Sequence, residues 1–191
     1  MNILLRPFFE VFRGAALGVY HLSGWRFEGA PPQTDKFLVI AAPHTSNWDL
    51  PMMLMIALRF RRRLHWVGKD TLFKPPFGWM MKLLGGVPVV RGSGDKFVEQ
   101  VVDQFRSRRR FVIGILPEGT RSKVDEWKSG FYHIARGADV PIAFGFVDYA
   151  RKVGGVGGVM EAGADYETDL AEIKAFYSGV TGKHNDRRGG C

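Results

Sequence analysis

Phe37-Leu38-Val39-Ile40-Ala41-Ala42-Pro43-His44-Thr45-Ser46-Asn47-Trp48-Asp49-Leu50 is the stretch from which the rest of the chain can be read. Phe37–Ala42 is a short apolar run stopped by a proline, the pattern of a buried strand running into a turn. The Met- and Leu-rich segment Leu50–Phe60 that follows has the length of a helix. Between the two lie a base, His44, and a carboxylate, Asp49, five positions on. On one continuous helix such residues point about 140° apart. At a strand-to-helix turn they can face each other. The carboxylate can then take the proton of one ring nitrogen and leave the other as a base. The alternative is a satisfied histidine beside a helix-capping aspartate, and for an isolated His-x4-Asp that reading is the commoner one.

The same alternation continues along the chain. Apolar runs at Leu64–Val67, Val87–Val90, Phe111–Leu116 and Pro141–Val147 read as strands. Segments Phe77–Leu84, Asp95–Ser107 and Gly130–Arg136 read as helices. This order predicts an α/β fold with a mainly parallel central sheet flanked by helices. Trp25–Glu28 is a candidate short strand. The glycine-rich segment Val153–Gly163 is ambiguous, with a late strand at Val156–Glu161. A last helix is expected at Asp169–Tyr177, with Thr168 or Asp169 as its cap. The domain therefore spans residues 25–182, and the polar residues 183–191 form a flexible tail.

Residues 1–24 make up an N-terminal amphipathic helix. Leu4, Leu5, Phe8, Phe9, Phe12, Ala15, Ala16 and Val19 recur at helical spacing, opposite Asn2, Arg6, Glu10 and Arg13. Such a helix either packs on its own core or lies in a membrane interface, aromatic face down with its arginines near the headgroups. Arg6, Pro7, Glu10 and Arg13 interrupt what would be the apolar core of a secretory signal, and no apolar run reaches the roughly 18 residues of a membrane span. Cys191, the single cysteine, excludes a disulfide framework. The balance of 27 Lys+Arg against 19 Asp+Glu, +8 overall, favours polyanionic partners: nucleic acid, anionic lipid headgroups or phosphorylated substrates.

Two further segments carry chemistry. Pro117-Glu118-Gly119-Thr120-Arg121-Ser122 follows the strand Phe111–Leu116, and in α/β sheets ligands bind beyond the carboxyl ends of strands. There Arg121 can clamp a phosphate, Glu118 can hold a hydroxyl or order Arg121, and Gly119 lets backbone amides approach an anion. Arg91 closes the strand that starts at Val87. Two cations and a base at one sheet edge suggest a phosphorylated substrate whose hydroxyl is deprotonated. A nucleic-acid module leaves these residues without a use. A serine hydrolase built on Ser46 or Ser93 lacks a Gly-x-Ser-x-Gly elbow. His44, His65 and His133 lack metal-ligand spacing, so no metal is expected.

In this order, the segments resemble the glycerolipid acyltransferase family, the 1-acyl-glycerol-3-phosphate acyltransferases and their relatives. His44-x4-Asp49 is similar to the first motif. Lys69 to Arg91, with Phe73, Phe77-Gly78-Trp79 and Val87–Arg91, resembles the second. Pro117–Ser122 resembles the third and Val140-Pro141-Ile142 the fourth. The resemblance implies acyl transfer from acyl-CoA or acyl carrier protein, as co-substrate and without a further cofactor, to a lyso-lipid hydroxyl. Lysophosphatidate is the default acceptor, and the setting is the cytoplasmic face of a membrane, with the protein peripheral or monotopic. It makes His44 the general base and Asp49 its orienting partner. Arg91, Glu118, Gly119, Thr120 and Arg121 become the acceptor-binding residues. Pro43, Leu116 and Ala143-Phe144 depart from the usual pattern and leave the acceptor open. Two runs, Arg59-x-Arg61-Arg62-Arg63 and Arg106-x-Arg108-Arg109-Arg110, end predicted helices. There they offset helix dipoles, or they bind anionic lipid, the phosphates of coenzyme A or the acidic face of a carrier protein.

Overall fold

The computed structural model of the chain describes residues 6–89, 94–120, 124, 126–184 and 186. Its centre is a seven-stranded sheet in the order β1-β7-β6-β2-β5-β3-β4. The strands are β1 (Arg26–Gly29), β2 (Lys36–Ala41), β3 (Leu64–Lys69), β4 (Gly86–Val89), β5 (Phe111–Ile115), β6 (Ile142–Asp148) and β7 (Val153–Met160). From β6 to β4 all neighbours pair in parallel, and β7 joins β6 antiparallel with β1 alongside it. The helices are α1 (Arg6–Leu22), α2 (Asp49–Arg59), α3 (Gly78–Leu83), α4 (Gly94–Ser107), α5 (Gly130–Ala138) and α6 (Tyr166–Ser178).

Strand β2 sits in the middle, and its two-residue alternation sorts the core. Leu38 and Ile40 join Phe105, Phe111, Ile113, Phe131 and Tyr177 on the side covered by α4, α5 and α6. Phe37 and Val39 join Met53, Ile56, Leu64 and Val112 on the side covered by α2. A strand buried on both faces reads as a continuous apolar run, as Phe37–Ala42 does. Lys36, just before that run, donates to the Phe105 carbonyl near the end of α4 at 2.6 Å, where a cation meets the negative end of the helix.

The seat of α2 depends on Gly145 in β6. A Cβ there would fall 2.6 Å from Val39 Cγ1 and 2.9 Å from Met53 Cε. The absence of a side chain is what lets α2 settle onto the sheet.

Two expectations change. The glycine-rich segment is a full strand, Val153–Met160, three residues earlier in start than Val156. Helix α6 is capped by Asp165, which accepts from the Glu167 amide, rather than by Thr168 or Asp169. Thr168 donates its hydroxyl to Asp165, and Asp169 accepts from the Gly163 amide and the Tyr132 hydroxyl. Helix α1 is attached at its carboxyl end, where Tyr20 is buried and stacks on Phe27 with ring centroids 4.2 Å apart. Phe8, Val11, Phe12, Val19 and Leu22 stay exposed, Leu22 at 90 %. Among the described residues no helix is long and apolar enough to cross a membrane.

Gly145→Val should lower the unfolding free energy by about 1–3 kcal/mol, the usual cost of overpacking a filled core. Urea denaturation measures it. Wild-type stability in that variant would contradict the packing account.

Candidate active site

Parallel pairing brings distant residues to one end of the sheet. β6, β2 and β5 are neighbours running the same way, so the loops that follow them open on the same edge. The loop after β2 carries His44, and α2 begins at once with Asp49. The loop after β5 carries Glu118, and the turn after β6 carries Tyr149. Three strand ends thus supply four polar side chains to one place.

Asp49 is the hub. It is 7 % exposed, and a charge so placed is costly unless hydrogen bonds replace its water. Its Oδ2 accepts from the backbone amides of Thr45 and Ser46, both at 2.9 Å, and faces His44 Nδ1 at 3.0 Å. Its Oδ1 accepts from the Tyr149 hydroxyl at 2.9 Å. Burial alone would push this carboxyl up. The hydrogen bonds from His44, Ser46 and Tyr149, with the attraction of a charged His44, outweigh it and hold the carboxyl below its ordinary range. Asp49 is therefore ionised at neutral pH and can only accept. That fixes the neutral tautomer of His44: Nδ1 carries the proton, and Nε2 keeps its lone pair. Nε2 makes no hydrogen bond within the described residues. The His44 side chain is 16 % exposed, enough for one edge of the ring to meet a ligand.

Glu118 has a contact that the sequence did not announce. Its Oε2 accepts from the backbone N–H of His44 at 2.7 Å, and the residue is 3 % exposed. The carboxylate therefore fixes the main chain of His44. Gly119 next to it has φ +65, a conformation that favours glycine, and its amide closes the turn onto the Leu116 carbonyl at 3.0 Å. Gly119 and Thr120 are exposed. Arg91 and Arg121 lie outside the described residues.

Other contacts set the loop. Thr45 is fully buried, and its hydroxyl accepts from the His184 amide at 3.2 Å. Lys183 places its ammonium 5.0 Å from the centre of the Trp48 ring, so two residues assigned to the tail touch the His44 loop. The Ser46 hydroxyl accepts from the Trp48 amide at 3.2 Å. Tyr149 is the functional candidate missed in the sequence. Its signal was position: it follows a third parallel strand, as His44 and Glu118 follow theirs. Burial, then the Asp49 charge and their hydrogen bond, push its hydroxyl up, so it stays protonated and donates. The arrangement can orient one imidazole with Nε2 outward and stabilise the imidazolium that forms when Nε2 takes a proton.

Because the Asp49 carboxyl titrates lower folded than unfolded, its stabilisation is complete above its ordinary value of 3.8 and is lost as pH falls through the folded value. Wild-type unfolding free energy should therefore drop below about pH 4. Tyr149→Phe should cost about 2 kcal/mol near neutrality, since it takes one donor from a buried charge, and should shrink that acid loss. Urea unfolding across pH tests both, and an unchanged acid limb would contradict the role given to Tyr149.

No curated protein matches the chain. Among solved structures it is similar to the crystal structure of the 1-acyl-sn-glycerophosphate (LPA) acyltransferase PlsC from Thermotoga maritima. The TM-score is 0.61 at 19 % identity, covering 88 % of this chain and 76 % of that one. At that identity the likeness is one of fold. The family model named Acyltransferase matches residues 26–143, well over half the chain and a span that holds His44, Asp49 and Glu118. The chain belongs to the acyltransferase family.

Proposed function

We propose that the protein is an O-acyltransferase that moves a fatty acyl chain from a thioester donor to the hydroxyl of a lyso-lipid. The observation that carries this reading is the His44 imidazole, held through Nδ1 by an ionised Asp49 and through its main-chain N–H by Glu118, with Nε2 outward. Nε2 removes the proton of the acceptor hydroxyl as the oxygen attacks the thioester carbonyl. Asp49 stabilises the imidazolium. Collapse of the tetrahedral intermediate breaks the C–S bond, and the imidazolium returns its proton to the departing thiolate. No acyl-enzyme intermediate is needed, because the thioester is already activated.

The acceptor we assign is 1-acyl-glycerol-3-phosphate. The exposed Gly119 and Thr120 support it, and Arg121 and Arg91 follow Glu118 and β4 closely in sequence. Guanidinium groups suit a phosphate through paired hydrogen bonds. In this reading Glu118 acts through the His44 backbone. The donor is acyl-CoA or acyl carrier protein. The exposed Phe8, Val11 and Phe12 of α1 support a peripheral position on the cytoplasmic leaflet, with that face in the interface.

Labelled acyl-CoA and acyl carrier protein donors, offered with lysophosphatidate, lysophosphatidylcholine and glycerol 3-phosphate, test the assignment. Lysophosphatidate should be acylated at the highest kcat/KM, and Arg121→Ala should raise its KM about tenfold or more. Transfer to no lyso-lipid would overturn the function. Equal use of the choline lipid would overturn the phosphate-recognising acceptor site.

A further inference from the structure

The two arginine runs are far apart in sequence and adjacent in the fold. Arg59–Arg63 leads directly into β3 and Arg106–Arg110 into β5. β3 and β5 pair in parallel, with Leu64 opposite Val112, so both runs reach the same edge of the sheet side by side. Asp35, just before β2, bridges them: it pairs with Arg62 at 3.4 Å and with Arg110 at 3.2 Å. His65, buried between them, lies in the field of Arg108 and Arg63, which add to the lowering of its imidazole by burial. Eight of the chain's 27 Lys and Arg residues thus gather at one edge of the sheet, a cationic pole.

This pole is at the amino-terminal edge of the parallel strands, and His44, Asp49 and Glu118 are at the carboxyl-terminal edge. Strands of five and six residues separate the two edges by about 15–20 Å, with the packed sheet between. An anion held at the pole is therefore not the phosphate of the reacting acceptor.

The pole is continuous with α1. Glu10 of α1 grips Arg61 with two hydrogen bonds, 2.7 and 3.0 Å, and pairs with Arg13 at 2.9 Å. Arg13, Arg59, Arg61 and Arg62 line one open cleft of about 440 Å³ floored by Ala30 and Pro31. Phe8 and Phe12, on the same stretch of α1 as Glu10 and Arg13, are 75 % and 65 % exposed. An interfacial helix sinks about 5–10 Å into the boundary between headgroups and acyl chains, which puts lipid phosphates level with the neighbouring guanidinium groups.

Resting on the lipid-surface reading above, we infer that the arginine pole is a second contact for an anionic bilayer. It binds lipid phosphates beside α1 and sets the orientation in which the site meets the membrane. Arg59 and Arg63 are exposed in one run, Arg106 and Arg109 in the other, so charge can be removed with little change in packing.

The test is flotation of the full chain with vesicles of phosphatidylcholine alone and of phosphatidylcholine with phosphatidylglycerol. Each double variant, Arg59→Gln with Arg63→Gln and Arg106→Gln with Arg109→Gln, should bind the anionic vesicles roughly tenfold to thirtyfold less tightly. Binding to phosphatidylcholine vesicles, which reads α1, should not change, and high salt should close the gap between variants and wild type. Undiminished binding of the variants to anionic vesicles would overturn the inference, as would an equal loss on both vesicle types. Loss of affinity for a single-stranded RNA with lipid binding intact would overturn it in favour of a nucleic-acid surface. The readout is binding and not turnover, so a failure of acyl transfer in the acceptor panel leaves this result readable, and the reverse holds too.

Discussion

The Asp49 carboxylate is the constraint on which the site depends. A buried charge must be given back the hydrogen bonds that water would supply. Here they come from the His44 ring, the amides of Thr45 and Ser46, and the Tyr149 hydroxyl. Satisfying the carboxylate shapes everything around it. The loop after β2 curls so that two successive amides point at Oδ2, the ring of His44 turns its Nδ1 inward, and the turn after β6 comes across to reach Oδ1. Glu118 secures the other side of the loop through the His44 amide.

That requirement also explains the architecture. His44 and Glu118 are 74 positions apart, and Asp49 and Tyr149 are 100 apart. Only a sheet with β6, β2 and β5 parallel and adjacent brings their loops to one edge. The opposite edge carries the starts of the same strands, and the arginine runs collect there by the same geometry. One fold separates the tightly bonded candidate site from a cationic pole. Gly145 serves this design from inside, since its missing side chain lets α2, and with it Asp49, settle against the sheet.

Much of this was legible in the sequence, for reasons that also mark where reading failed. Strands buried on both faces are continuous apolar runs, so Phe37–Ala42 and Phe111–Leu116 were readable, and the turn between Pro43 and Asp49 offered His44 and Asp49 as a pair, which the structure brings to 3.0 Å. β7 was harder. Val153 to Met160 is half glycine and has little apolar pattern, because its glycines serve close approach: a Cβ on Gly155 would lie 1.9 Å from the Glu28 carbonyl, and one on Gly157 would lie 2.3 Å from the Phe176 ring. The partner of Glu118 was out of reach for another reason. A carboxylate beside Gly and Arg reads as a ligand-binding group, and only the register of β5 against β2 adds that it also holds the main chain of His44. Tyr149 belongs to no local motif and became visible only with the topology.

The most direct measurement is the single-turnover rate of acyl transfer by His44→Ala, with folding checked by urea unfolding. If His44 is the base, the folded variant loses at least about a hundredfold in rate, while lysophosphatidate still binds. A folded His44→Ala protein that transfers acyl chains at close to the wild-type rate would contradict the account.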